Sequence, residues 1–215
     1  MIAISIQPQA VPLSTALREG TRGEHETAER SGFVELLLAG DLDRAAYADL
    51  AAQQLAVYTA LEAAGARLAH DGGLVFHELT RVPAIEQDLA HLYGADWTSL
   101  VRVLPATQVY VDRLEQTSSL PAYAAHAYTR YLGDLSGGQI IKRMLQRHYG
   151  FVADGISFYD FPQIHRLKPF KDVYRERLDQ LELDDEARAA VVEEARHAFR
   201  LNADVFAELG VVHPR

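Results

Sequence analysis

Residues 131–139 read Tyr131-Leu132-Gly133-Asp134-Leu135-Ser136-Gly137-Gly138-Gln139, with three glycines inside a segment whose flanks otherwise belong to one continuous helix. Each glycine in a helix interior costs about 1 kcal/mol relative to alanine, so this turn gives up local stability for some other end. Gly133 and Gly137 stand four residues apart on one helical face. Two missing Cβ atoms there bare a strip of backbone against which a flat or bulky group can rest. Asp134 is the one carboxylate in the bared turn. The same spacing also suits a small-residue face packed tightly by a second helix, and spacing alone leaves both readings open.

Helical patterns surround this turn almost from end to end. Pro121 stands where a first-turn proline belongs, heading the helix that contains the glycines and stops at Tyr149-Gly150. Upstream, Ser14 can cap a helix to about Arg30, stopped by Ser31-Gly32, and Phe33 to Leu38 forms a short apolar helix before Gly40-Asp41. Asp43 opens a long helix in which Leu50, Val57, Tyr58, Leu61, Ala64 and Leu68 recur at three- and four-residue steps until His70-Asp71-Gly72-Gly73. Shorter patterns span Pro83 to Tyr93 and Pro105 to Glu115. Phe151 to Pro162 reads as irregular and aromatic. Pro169 opens a helix through Leu181, and Asp184, Asp185 and Glu186 cap and charge the start of the last one, to Leu209-Gly210. No alternating β-branched run and no repeat occurs. The expectation is an all-α, single-domain bundle over residues 13–210, between a flexible tail at 1–12 and a short one at 211–215.

Composition narrows the function. A chain of 215 residues, 48% of them hydrophobic, can bury a real core. It has no cysteine, which excludes disulfides, thiolate metal sites and thioether attachment of a cofactor. The net charge of −9 argues against nucleic acid as a partner. No apolar run is long enough to cross a bilayer, and the start lacks a basic flank and cleavage site, so the expected location is the cytoplasm.

Among nine histidines, His25 stands out because Glu29 lies one turn further on, where a carboxylate can hold the imidazole nitrogen that does not bind a metal. The plain alternative is a solvated Glu/His face. One histidine is too little for zinc or a di-iron centre but enough for the fifth ligand of haem. Arg166, Lys168, Lys171, Arg175 and Arg177 crowd twelve residues of an acidic chain, with Lys171 and Arg175 on one face. They can form an anion clamp or pair with Asp172 and Glu176.

The run Tyr128 to Gln139 resembles the distal-helix signature of haem oxygenase. His25 with Glu29 resembles the proximal segment of that family, Tyr58 and the stretch Phe199 to Phe206 with Asn202 resemble its pocket helices, and Phe170 to Arg175 resembles the segment that meets the haem propionates. The likeness runs from about Leu13 to Gly210, closest to the soluble bacterial enzymes. It implies haem b as both substrate and cofactor, sandwiched between a proximal helix and a kinked distal one, with His25 on the iron. It also implies O₂- and reductant-dependent cleavage at the α-meso carbon to biliverdin, Fe²⁺ and CO, with electrons from a reductase or ferredoxin. On this likeness Gly133, Ser136 and Gly137 lie over the porphyrin. Asp134, Arg130, Tyr58 and Asn202 hold a proton-delivering water network, and Lys171, Arg175, Arg18 and Tyr128 fix the propionates.

Two departures stand out. Arg18 replaces the usual lysine, and Gly20 and Gly23 are expected to loosen the helix before His25. No hydrophobic tail resembling the vertebrate membrane anchor is expected. A haem carrier or sensor without turnover is the rival reading, with Asp134 as the discriminating residue. A di-iron bundle needs two Glu-x-x-His pairs, and only Glu194-Ala195-Arg196-His197 is present.

Overall fold

The computed structural model describes residues 11–69 and 73–215, without the side chain of Glu29. The expected tail at 1–12 and the helix stop at 70–73 therefore lie largely outside the described residues. In chain order the helices are α1 (Leu13–Gly20), α2 (Arg22–Glu29), α3 (Gly32–Ala39), α4 (Arg44–Leu68), α5 (Val82–Tyr93) and α6 (Trp97–Leu100). They continue with α7 (Pro105–Glu115), α8 (Leu120–Gly133), a π-turn at Asp134–Gly138, α9 (Gln139–Tyr149), α10 (Leu167–Asp179) and α11 (Asp185–Val212). No strand occurs among the described residues, as the all-α reading expected.

Asp43, Ser31 and Asp184 cap as their chemistry suggests, each side chain accepting a backbone N–H three residues on, from Ala46, Val34 and Ala187. Ser14 does not. Pro12 takes the N-cap position of α1, while the N–H and hydroxyl of Ser14 both donate to Asp179, at 2.7 and 2.9 Å, tying α1 to the end of α10. The single helix expected from Ser14 to Arg30 is in fact two, broken at the buried Thr21, whose hydroxyl turns back to the carbonyl of Leu17 at 2.8 Å. Gly20 does not serve to loosen the chain. A Cβ there would stand 2.5 Å from Val192 Cγ1, so the missing side chain lets the end of α1 press onto α11.

Two helices organise the rest. The long helix α4 is not a one-striped amphipathic element, because alanines at 46, 48, 51, 52, 60 and 64 are buried and let α5, α7 and α8 approach it on several sides. At Gly65 a Cβ would meet the ring of Tyr123 at 3.0–3.1 Å, which marks where α8 crosses α4. The last helix, α11, packs against α1, α2, α3, α7 and α8. It runs two residues past Gly210, and His213 then docks its imidazole 2.7 Å from Asp49.

The irregular aromatic segment after α9 is pinned from α5. Buried Asp88 accepts the N–H groups of Ser157 and Phe158, both at 2.7 Å. Buried Arg81 donates to the carbonyls of Phe158 and Asp160 and lies 4.0 Å from the ring centroid of Phe161. The segment is thereby set under the π-turn, where Gln139 donates to the carbonyl of Tyr159 at 2.9 Å.

A polar brace joins α7, α8 and α11. Fully buried His126 lies 2.8 Å from Glu194, which Arg113 also holds through two guanidinium nitrogens. Burial opposes ionisation of Glu194, but His126 and Arg113 outweigh it and hold the carboxyl down to about 2. A depressed carboxyl contributes stability that is present above its unfolded pKa and lost as pH falls toward the folded one. Glu194→Gln is therefore expected to lower the urea-unfolding free energy by about 2 kcal/mol at pH 7. The gap from the native protein should close between about pH 4.5 and 2, and a gap independent of pH in that window contradicts the brace.

Candidate active site

The glycine turn is π-helical, a form that places an extra residue in one turn and recurs at functional sites. Its glycines are not there for unusual backbone angles. Gly133 has φ −61° and ψ −50°, and none of Gly133, Gly137 and Gly138 has positive φ. They differ in what a side chain would meet. Among the described residues a Cβ on Gly133 or on Gly137 has no neighbour within 4 Å, so no described helix packs on that strip and the helix-packing reading fails there. On Gly138 it would lie 3.3 Å from the Tyr159 ring, which makes Gly138 the inward, close-approach glycine.

Beneath the bare strip, Asp134 is 8% exposed and accepts a short hydrogen bond from the hydroxyl of Tyr58, itself fully buried on α4. Arg130 comes from the preceding turn of α8. Its guanidinium carbon lies 4.9 Å from the Tyr58 ring centroid, and it donates to Asn202 Oδ1 on α11. The four residues expected to form the proton network thus meet in space, drawn from three α-helices and the π-turn. Burial raises the Asp134 carboxyl to about 6, although Arg130, Tyr58 and Arg81 all pull it down. Burial also works against the charge of Arg130, and Tyr58, Asp134 and Tyr110 more than compensate. Among the described residues, Arg130 Nε is buried without a hydrogen-bond partner, and the hydroxyl of Tyr159 is buried beside Gln54 and Tyr47. A small cavity with Arg130, Asn202, Val57 and Phe206 in its walls adjoins the network.

Packed against α11, α2 presents His25, exposed, with its ring edge-on to buried Phe199 at 5.6 Å between centroids. The side chain of Glu29, expected to orient that imidazole, lies outside the described atoms. Cationic and phenolic groups close a third side. Lys171 Nζ donates to Ser136 Oγ at 3.0 Å, linking α10 to the π-turn. Burial raises the Tyr128 hydroxyl, while Thr21, Arg175 and Arg18 lower it, so Arg18 of α1, Tyr128 of α8 and Arg175 of α10 share one neighbourhood. Arg175 also forms the ordinary pair with Asp172 at 2.8 Å, whereas Arg177 lies beside Gly73, away from this corner.

Two contributors escaped the sequence reading. Arg81 bears electrostatically on Asp134 from before α5, and Tyr159 does so from the irregular segment. A lone arginine between Leu79 and Val82, and an aromatic cluster with no helical period, are the faint signals that mark them. Glu194, which a di-iron site would need, is engaged by Arg113 and His126, and no three His, Asp or Glu side chains among the described residues converge as a metal site.

Comparison with known proteins follows the same lines. The family model described as Heme oxygenase matches residues 11–208. "Heme oxygenase 1" of Synechocystis sp. is 39% identical over 208 residues, covering 93% of this chain and 85% of the relative. "Heme oxygenase" of Rhodella violacea is 40% identical over 205 residues, covering 92% of this chain and 86% of the relative. Among solved structures, haem oxygenase-1 from Synechocystis in complex with haem superposes with a TM-score of 0.90 at 39% identity, covering 94% of each chain. The haem oxygenase of Leptospira interrogans gives 0.87 at 38%, over 92% of this chain and 100% of that one. A model match over nearly the whole chain, with relatives near 40% identical across more than nine tenths of it, shows that the chain belongs to the haem oxygenase family.

Proposed function

We propose that haem b lies between α2 and the π-turn, with its iron on the imidazole of His25, and that residues 13–210 form the one domain that cleaves it. As a member of its family the chain is a haem-degrading enzyme. The observation that carries the residue assignment is open space above the bare backbone of Gly133 and Gly137, directly over a buried carboxyl poised near neutrality. Haem, once bound, supplies the iron that reacts with O₂ and the meso carbon that is oxidised.

The protein's own groups do the rest. His25 offers an imidazole nitrogen from a short helix, a weaker electron donor than a thiolate. Lys171, Arg175, Arg18 and Tyr128 take the propionates, which fixes the rotation of the ring and selects the α-meso edge for cleavage to biliverdin, Fe²⁺ and CO. The backbone at Gly133 and Gly137 would rest against the bound ring and limit the space beside it. Phe199 and Phe206 supply apolar wall. A carboxyl near 6 can exchange a proton with ordered water at neutral pH, and Tyr58, Arg130 and Asn202 hold Asp134 where it does so. Electrons come from a reductase or ferredoxin. No helix among the described residues is long and apolar enough to cross a membrane, and we place the reaction in the cytoplasm.

The central test is incubation of the purified protein with haemin, a reductase system and O₂, with chromatography of the product. The α isomer of biliverdin is expected, and a haem spectrum that never changes under reductant and O₂ would favour a carrier. His25→Ala is expected to keep much of its haem affinity, which comes from apolar burial and propionate pairing. It should lose the imidazole-ligated spectrum and nearly all turnover, with added imidazole restoring part of both. Unchanged ligation in that variant assigns the iron to another residue.

Asp134→Ala separates proton handling from binding. Haem affinity and axial ligation should remain nearly those of the native protein while biliverdin yield falls at least about tenfold, within the range of a lost general acid–base group. A normal yield sinks the role given to Asp134. Gly137→Leu fills the space above the ring instead, so haem affinity should drop while the haem-free protein melts within about 2 °C of the native one. A large fall in melting temperature with normal affinity would return Gly137 to a packing role.

A further inference from the structure

The two walls of the proposed site are held in different ways. The distal wall is rooted in the core through Asp134, Arg130 and Leu135. The proximal wall is α2, eight residues long, polar, and contributing one buried described side chain, Ala28. A helix of that length is marginal by itself, and Thr21, at its N-cap, offers its hydroxyl to Leu17 and not to α2. Tertiary contacts must therefore hold it in place.

Those contacts come from one face of α11. Val192, Glu193, Arg196, Phe199 and Arg200 follow a one-face helical spacing. Val192 receives the bare backbone of Gly20, and Phe199 meets the edge of His25. Arg196 Nε donates to the carbonyl of Gly20 at 2.6 Å, at the C-terminal end of α1 where a cation is favoured. The same guanidinium reaches Glu24, the residue before His25, at 3.8 Å. Arg200 reaches Glu24 at 3.7 Å, and Glu193 closes the array at 3.3 Å to Arg196 and 2.8 Å to Arg200. The outer pairs are solvent-exposed and individually weak. The bond to Gly20 is partly buried and charge-assisted, so it carries most of the restraint.

We infer that Arg196 is a positioning residue for the ligand helix, joining the end of α1 to Glu24 at the start of α2 and so setting the point from which His25 reaches the iron. This rests on the reading of His25 as the iron ligand. Arginine rather than lysine is required, because one planar fork serves a carbonyl and two carboxylates at once. The helix break at Thr21 then acts as a joint that Arg196 keeps closed.

Hydrogen–deuterium exchange on the haem-free protein tests the restraint without reference to turnover. In Arg196→Met, exchange in the peptide spanning residues 21–30 should rise about tenfold, with α4 and α8 unchanged, and Arg196→Lys should recover only part of the protection. Native-like exchange at 21–30 in Arg196→Met overturns the inference. In the reduced haem complex, the iron–imidazole stretching band in resonance Raman should shift or broaden in Arg196→Met, and kcat should fall by a larger factor than KM for haem rises. A rise in exchange with an unmoved band overturns the positioning of His25. Failure of the ligand reading itself shows separately, as persistence of that band in His25→Ala. Should Arg196→Met not fold, Glu24→Gln decides, with about a threefold rise in exchange at 21–30 expected and no rise contradicting the clamp.

Discussion

A carboxyl group kept out of water beneath exposed backbone is the constraint on which the rest of this structure depends. Asp134 needs compensation for its burial, and Tyr58, Arg130 and Arg81 supply it from α4, α8 and the start of α5. Each of those groups then needs partners of its own. Arg130 takes Asn202 from α11, and Arg81 takes two carbonyls of the aromatic segment after α9. One polar residue thus draws five parts of the chain into register around it. The compensation is incomplete, which leaves the carboxyl near 6 and able to change its charge at working pH.

The glycines of the π-turn make this arrangement accessible. An ordinary α-helix with side chains at 133 and 137 would cover Asp134 with its own surface. The π-turn carries a wide strip of backbone there, while Gly138, on the inner side, lets Tyr159 close the turn from below. A ligand resting on the strip comes close to the buried network without the network being open to solvent. At α2 the balance is reversed. The short helix with His25 has little buried surface and is held by a charged array on α11, whereas the π-turn is rooted in the core through Asp134 and Leu135.

By itself the sequence determined the all-α class, most helix limits and the caps at Asp43 and Asp184, because periodicity and capping are local properties written over a few residues. The glycine turn and its carboxylate were legible for the same reason, as an unusual local cost. The break at Thr21 was not, since Ser14 and Gly20 look like a cap and a flexible link until α10 and α11 are placed against them. Nor was the choice between a ligand face and a helix-packing face at Gly133 and Gly137, which depends on what lies opposite. The tertiary structure removes the packing face among the described residues, and it alone reveals Arg81, Tyr159 and Arg196. Their work is done by burial and by partners distant along the chain, such as Arg81 with Phe158 and Arg196 with Gly20. Long-range electrostatics and close packing leave no local pattern, because they arise only when the helices have already met.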